Sequence, residues 1–135
     1  MVLMPRATFG TAINCIDGRV QLPVIDWMRQ VLAVEYVDLI TEPGPDGLLA
    51  HQPDRADQLV RPRVLLSLTR HASPVLAITA HHDCLANPVS EAEHSEQLRQ
   101  AVGVLVAWNL GVKVLALWVN EHWQIEVVQT RSSRS

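Results

Sequence analysis

The chain of 135 residues has little to work with chemically: two cysteines, one phenylalanine, one tyrosine and no excess of positive charge. Two cysteines allow at most one disulfide. The net charge of −3 gives no reason to expect a nucleic-acid partner, because such binders carry a basic patch or stripe. Long hydrophobic runs are also missing. The most apolar region, residues 101–117, is broken by Asn109, Gly111 and Lys113 and falls short of a membrane span. No basic stretch followed by an apolar one opens the chain, so no secretory signal is expected and the expected location is the cytoplasm. In that reducing compartment structural disulfides are rare, and a cysteine pair with histidine and aspartate nearby points to metal or catalysis. No internal repeat is visible.

What remains is an alternation of strand-like and helix-like segments. Residues 7–14 read as a buried strand, with Pro23 opening a helix that runs to about Ala33. Residues 36–40 form the next strand, stopped by a dense cluster of turn formers at 41–47. Residues 55–72 are helical in pattern, kinked or divided by Pro62. An uninterrupted apolar run at 75–80 suits a central strand of a parallel sheet. Ser90 with Glu93 three residues on forms a capping box. Leu98, Ala101, Val102, Leu105, Val106 and Asn109 then keep the rhythm of one helical face. Residues 112–119 and 123–128 make two last strands, the second returning as an antiparallel hairpin. Strands separated by helices predict an α/β fold in three layers, a mostly parallel central sheet flanked by helices. Residues 1–128 are expected to form one folded unit, and 129–135 a frayed polar tail.

Both cysteines lie in short motifs that directly follow predicted strands: Cys15-Ile16-Asp17-Gly18-Arg19 and His81-His82-Asp83-Cys84. If the first and third strands are neighbours, the two motifs meet in the crevice beyond the strand ends, where such sheets bind ligands. Two thiols and an imidazole form a soft donor set for which zinc is the default occupant, leaving a fourth position for water or substrate. Two thiolates cancel the metal's charge, so ionising a water there needs help. Asp17 and Arg19 are the candidate helpers, Arg19 holding the carboxylate through two parallel hydrogen bonds while Asp17 accepts a proton. Alternatively, Asp17 itself closes the coordination shell. His82 stands as a rival ligand to His81, a proton shuttle or a donor to a ligand. Asp83 orients a ligand or caps its own turn.

Cys-x-Asp-x-Arg followed by His-x-x-Cys resembles the β-class carbonic anhydrase family, including the Asp83 that precedes the second cysteine. The resemblance implies zinc held by Cys15, His81 and Cys84, with Asp17 and Arg19 beside it. It also implies a β-carbonic anhydrase-like fold over residues 1–128, pairing of subunits into a homodimer or higher homo-oligomer, and hydration of carbon dioxide to bicarbonate by zinc-bound hydroxide. Departures from the family pattern fall at Gly18, Ala80, His82 and Leu85, at 41–44, and in the absence of an N-terminal helical arm. They mark a short, divergent branch. Two other readings keep the zinc: hydrolysis of another small electrophile such as carbonyl sulfide or carbon disulfide, and a non-catalytic protein with a closed site. Glu42 is expected in a solvated loop. His51, His71, His94 and His122 show no ligand spacing and are assigned to surface or packing, as Trp27, Trp108, Trp118 and Trp123 are to core or interface.

Overall fold

Strands and helices alternate along residues 7–132, the part of the chain that the computed structural model describes. β1 (Phe9–Cys15) leads through a 3-10 turn (Gly18–Val20) into α1 (Gln21–Val31), and β2 (Tyr36–Glu42) follows. Three short helices come next, α2 (Pro45–His51), α3 (Pro53–Leu59) and α4 (Arg61–Arg70). The remaining elements are β3 (Val75–His81), α5 (Glu91–Ala107), β4 (Lys113–Val119) and β5 (Ile125–Ser132). The strands form one sheet in the order β2-β1-β3-β4-β5, parallel except for the β4–β5 pair. This is the predicted three-layer α/β architecture.

Alternation along the central strands builds two cores. Ile13, Leu76, Ile78, Val114, Ala116 and Trp118 face α2 to α5, packing on Leu49, Val64, Leu98 and Leu105. Ala12, Val75, Ala77, Leu115 and Leu117 face the opposite way, onto Val24 and Met28 of α1. Burial on both faces explains why β3 reads as a continuous apolar run. Each buried leucine or isoleucine contributes about 1.5–3 kcal/mol.

The differences from expectation have local causes. Helix α1 starts at Gln21, so Pro23 sits in its first turn, where an N–H is not needed. The helical stretch around Pro62 divides at Val60, with Pro62 the second residue of α4. In the turn-forming cluster, Thr41 and Glu42 extend β2 and Pro45 starts α2, while Gly44 takes the left-handed φ of 55° between them. Asn109 lies beyond α5 at φ 53°, terminating the helix rather than joining its face. Most of the supposed frayed tail is strand: Thr130, Arg131 and Ser132 pair with Leu115, Val114 and Lys113, past a bulge that shifts the register between Ala116 and Leu117. The rest of the tail, residues 133–135, lies outside the described residues. Among the described residues no helix is long and apolar enough to cross a membrane.

Candidate metal centre

Cys15 is the last residue of β1 and His81 the last of β3. These two strands are neighbours, and the chain leaves them in opposite directions across the sheet, to β2 on one side and β4 on the other. The crevice of a parallel sheet opens at such a reversal. Cys84 enters it from the turn after β3, where Asp83 takes a left-handed φ of 57° that aspartate tolerates.

One sulfur from Cys15, one from Cys84 and a ring nitrogen of His81 lie within 4.8 Å of one another, all from buried residues. The sulfurs are 4.0 Å apart. That is far too long for a disulfide bond of about 2.05 Å. It is close to the ~3.8 Å that two Zn–S bonds of about 2.3 Å span at a tetrahedral angle. His81 Nδ1 lies 2.7 Å from the His82 carbonyl, which can only accept, so the proton sits on Nδ1. In the neutral ring Nε2 keeps a lone pair, and it is buried and makes no hydrogen bond of normal geometry. A buried acceptor with nothing to accept calls for an explanation, and a soft cation between the two sulfurs supplies it. The residues fit zinc.

Without a metal the cysteines share one proton. The Cys84 S–H directed at Cys15 holds Cys15 down to about 3 against the opposing effect of burial, and His81 and the Gly44 and Asp17 N–H groups add to this. Cys84 is pushed up by the Cys15 thiolate and by burial. Burial acts against the imidazolium of His81, but the Cys15 thiolate and the His82 carbonyl outweigh it, so its pKa is raised. A metal bound by both sulfurs would displace the Cys84 proton.

Beside this cluster Arg19 acts as a hub. Its Nε and Nη2 donate to both oxygens of Asp17, at 3.1 and 2.8 Å, and its backbone N–H adds a bond of 2.9 Å that caps the 3-10 turn. On its other side it donates through Nη1 to the Asp83 carboxylate at 3.1 Å and through Nη2 to the Asp83 carbonyl at 3.0 Å. The guanidinium also lies 5.0 Å from the centre of the Trp123 ring, which the β4–β5 hairpin turn delivers. Asp17 is consequently held down to about 2, chiefly by the Arg19 hydrogen bonds. Asp83 clamps Arg19 rather than a candidate ligand residue. The His82 ring is exposed, and only its backbone engages the site and β4.

Several supporting residues escaped the sequence reading. Thr79 donates to Asn14 Oδ1 at 2.6 Å, and Asn14 Nδ2 donates to the Val20 carbonyl at 3.3 Å, tying β3 to β1 and to the 3-10 turn. Gln21 Nε2 donates to the carbonyls of Cys15 and Asp17, fixing the loop between them. Polar residues inside apolar strands were the available signal for Asn14 and Thr79, since buried polar groups need partners. Glu42, expected in a loop, ends β2 and pairs with Arg63. Buried His94 pairs with Asp46, so it is more than a packing residue.

Among solved structures the fold is similar to that of carbonic anhydrase from Streptococcus mutans, with a TM-score of 0.61, 12% identity, and 96% of this chain and 87% of that one covered. Carbonic anhydrase from Glaciozyma antarctica matches with a TM-score of 0.60, 11% identity and coverage of 94% and 85%. A β-carbonic anhydrase from Trichomonas vaginalis matches with a TM-score of 0.57, 10% identity and coverage of 95% and 87%. No curated protein matches in sequence. At the level of sequence families the outcome is definite: residues 5–129 match the family described as "putative carbonic anhydrase", and the chain belongs to it.

Proposed function

We propose that this chain reversibly hydrates carbon dioxide to bicarbonate, using zinc held by Cys15, His81 and Cys84. The observation that carries the reading is the convergence of two sulfurs and an unpartnered buried Nε2 beside a carboxylate that Arg19 keeps ionised. When bound, zinc supplies Lewis acidity that lowers the pKa of water toward neutrality. The chain's own groups adjust that acidity. Backbone N–H groups of Gly44 and Asp17 face Cys15, and those of Ala86 and Asn87 face Cys84, drawing charge from the sulfurs. Less charge on the sulfurs leaves more on the metal.

Asp17 then positions water. A carboxylate held at about 2 stays ionised throughout the neutral range, so it orients a water by accepting a hydrogen bond rather than storing its proton. Both Asp17 oxygens are occupied by Arg19, which favours a fourth position left to water over one closed by Asp17. The water oxygen bonds to the carbon of carbon dioxide, one proton leaves to solvent, and bicarbonate departs. His82 offers an exposed imidazole to receive that proton.

Stopped-flow hydration of carbon dioxide by the zinc-loaded protein tests the reading against Cys84→Ala. The parent is expected to exceed the buffer rate and the variant to fall to it. Equal rates in both overturn the proposal. Parallel assays with carbonyl sulfide and carbon disulfide at equal zinc content read the substrate class.

A further inference from the structure

Away from the metal ligands lies a buried polar cluster that the reaction above does not use. Asp46 is 1% exposed and His94 2% exposed, and His94 Nδ1 lies 2.6 Å from Asp46 Oδ2. The other Asp46 oxygen accepts from Asn87 Nδ2 at 3.1 Å, and the same amide nitrogen donates to Gln97 Oε1 at 2.6 Å. Both Asn87 amide hydrogens are thus used, and the carboxylate is satisfied on both oxygens. Burying a carboxylate and an imidazole is costly unless they are paired and hydrogen-bonded, and here both conditions hold.

What the pair fixes is Asn87. Its backbone N–H closes the turn onto the Cys84 carbonyl at 3.3 Å. Its side chain is pressed against the loop that enters α2. A Cβ placed on Gly44 would lie 2.8 Å from Asn87 Cβ, and one on Gly47 would lie 2.9 Å from Asn87 Nδ2. Gly44 lies two residues past Glu42, which pairs with Cys15 across the β1–β2 ladder and accepts from the Ile16 N–H at 3.3 Å. Asn87 therefore latches together the turn that holds Cys84 and the Gly44 loop that follows the strand paired with Cys15. α2 carries Asp46 and α5 carries His94, so two helices hold one latch.

We infer that Asp46 and His94 are positioning residues of the metal centre: through Asn87 they set the Cys84 turn against the Gly44 loop, and zinc affinity depends on them although neither touches the ion. The inference rests on the proposed zinc site but not on the reaction it performs. Breaking such outer hydrogen bonds weakens metal binding about 10–100-fold.

Competition with a chromophoric chelator measures zinc affinity in the parent, Asp46→Asn, His94→Gln and Asn87→Ala. Asn87 is only part-buried and borders an open cleft of about 390 Å³, so truncating it leaves the cores intact. Leu105→Ala, in the core far along α5 from His94, serves as a control that lowers stability alone. All titrations are run below the unfolding transition of each variant. Asp46→Asn and Asn87→Ala are expected to lose about 10–100-fold in affinity. The thiolate charge-transfer band of their cobalt forms is expected to change, and Leu105→Ala to keep parent affinity and spectrum. Parent-like affinity and spectrum in Asn87→Ala overturn the inference, whatever the buried variants do. So does an equal loss in Leu105→Ala. A parent that binds no zinc overturns both the inference and the proposed function. Tight zinc binding without hydration of carbon dioxide overturns the proposed function alone.

Discussion

Arg19 holds together the surroundings of the candidate metal centre without belonging to its cluster of donor atoms. Its guanidinium donates to Asp17 and Asp83, its backbone N–H caps its own turn, and its flat face rests on Trp123. A lysine at this position would present a point charge and lose the fork. The partner it holds, Asp17, is the group expected to matter for rate. In Asp17→Asn the carboxamide still fills the space but accepts at only one atom, so turnover should fall roughly 10–100-fold. Zinc content, measured by atomic absorption, should stay at the parent level, because Asp17 is outside the cluster of ligand atoms. Loss of zinc along with activity would instead make Asp17 a ligand. At this scale the sequence was informative wherever spacing carried the chemistry, as in Cys15, Asp17, Arg19, His81 and Cys84. It was silent on Asp46 and Asn87 and gave Trp123 only a core or interface place, because their partners follow no motif.

Elements became legible to the degree that their signals were local. The Ser90 cap is an example: its hydroxyl accepts from the Glu93 N–H at 3.1 Å, as the capping box predicts. Ser90→Ala should cost about 1 kcal/mol of stability, measured by urea unfolding, with no change in zinc affinity. The helix α2 was missed for the opposite reason. Pro45, Asp46 and Gly47 have turn chemistry, yet a proline at the first position and a left-handed glycine before it start a helix just as well. Packing against α5 decides between the two, and packing is not in the local pattern. β5 was cut short because Thr130, Arg131 and Ser132 are polar. An edge strand needs only a partner for its backbone, and β4 provides one.

Across the whole molecule, a metal held by Cys15, His81 and Cys84 would cross-link segments 69 residues apart that no disulfide joins. Ions that bind the folded chain stabilise it by mass action, about 4 kcal/mol at a free concentration a thousand times Kd. Chelation should therefore lower the unfolding temperature in a zinc-dependent way, and the Cys84→Ala variant should lose that dependence. Scanning calorimetry with and without chelator checks this. A homodimer or larger assembly is proposed as well. Ile16 and Leu85, each beside a ligand cysteine, are 62% and 84% exposed, and Leu22 is 67% exposed on the first turn of α1. Apolar side chains left in water at the rim of a site favour coverage by a second copy. Light scattering at micromolar concentration should give at least twice the mass of the chain, and a monomer there rules the proposal out.

The strand order also sets a timetable. Cys15 and Cys84 are 69 residues apart, and everything from α1 to α4 is made between them. A chain emerging from the ribosome presents its first thiol long before His81 and the second thiol exist. The ion cannot nucleate the early strands; it can only be captured once β3 has docked beside β1. Metal uptake followed during refolding should then trail the formation of the sheet, the behaviour of a seal on a finished fold and not of a template.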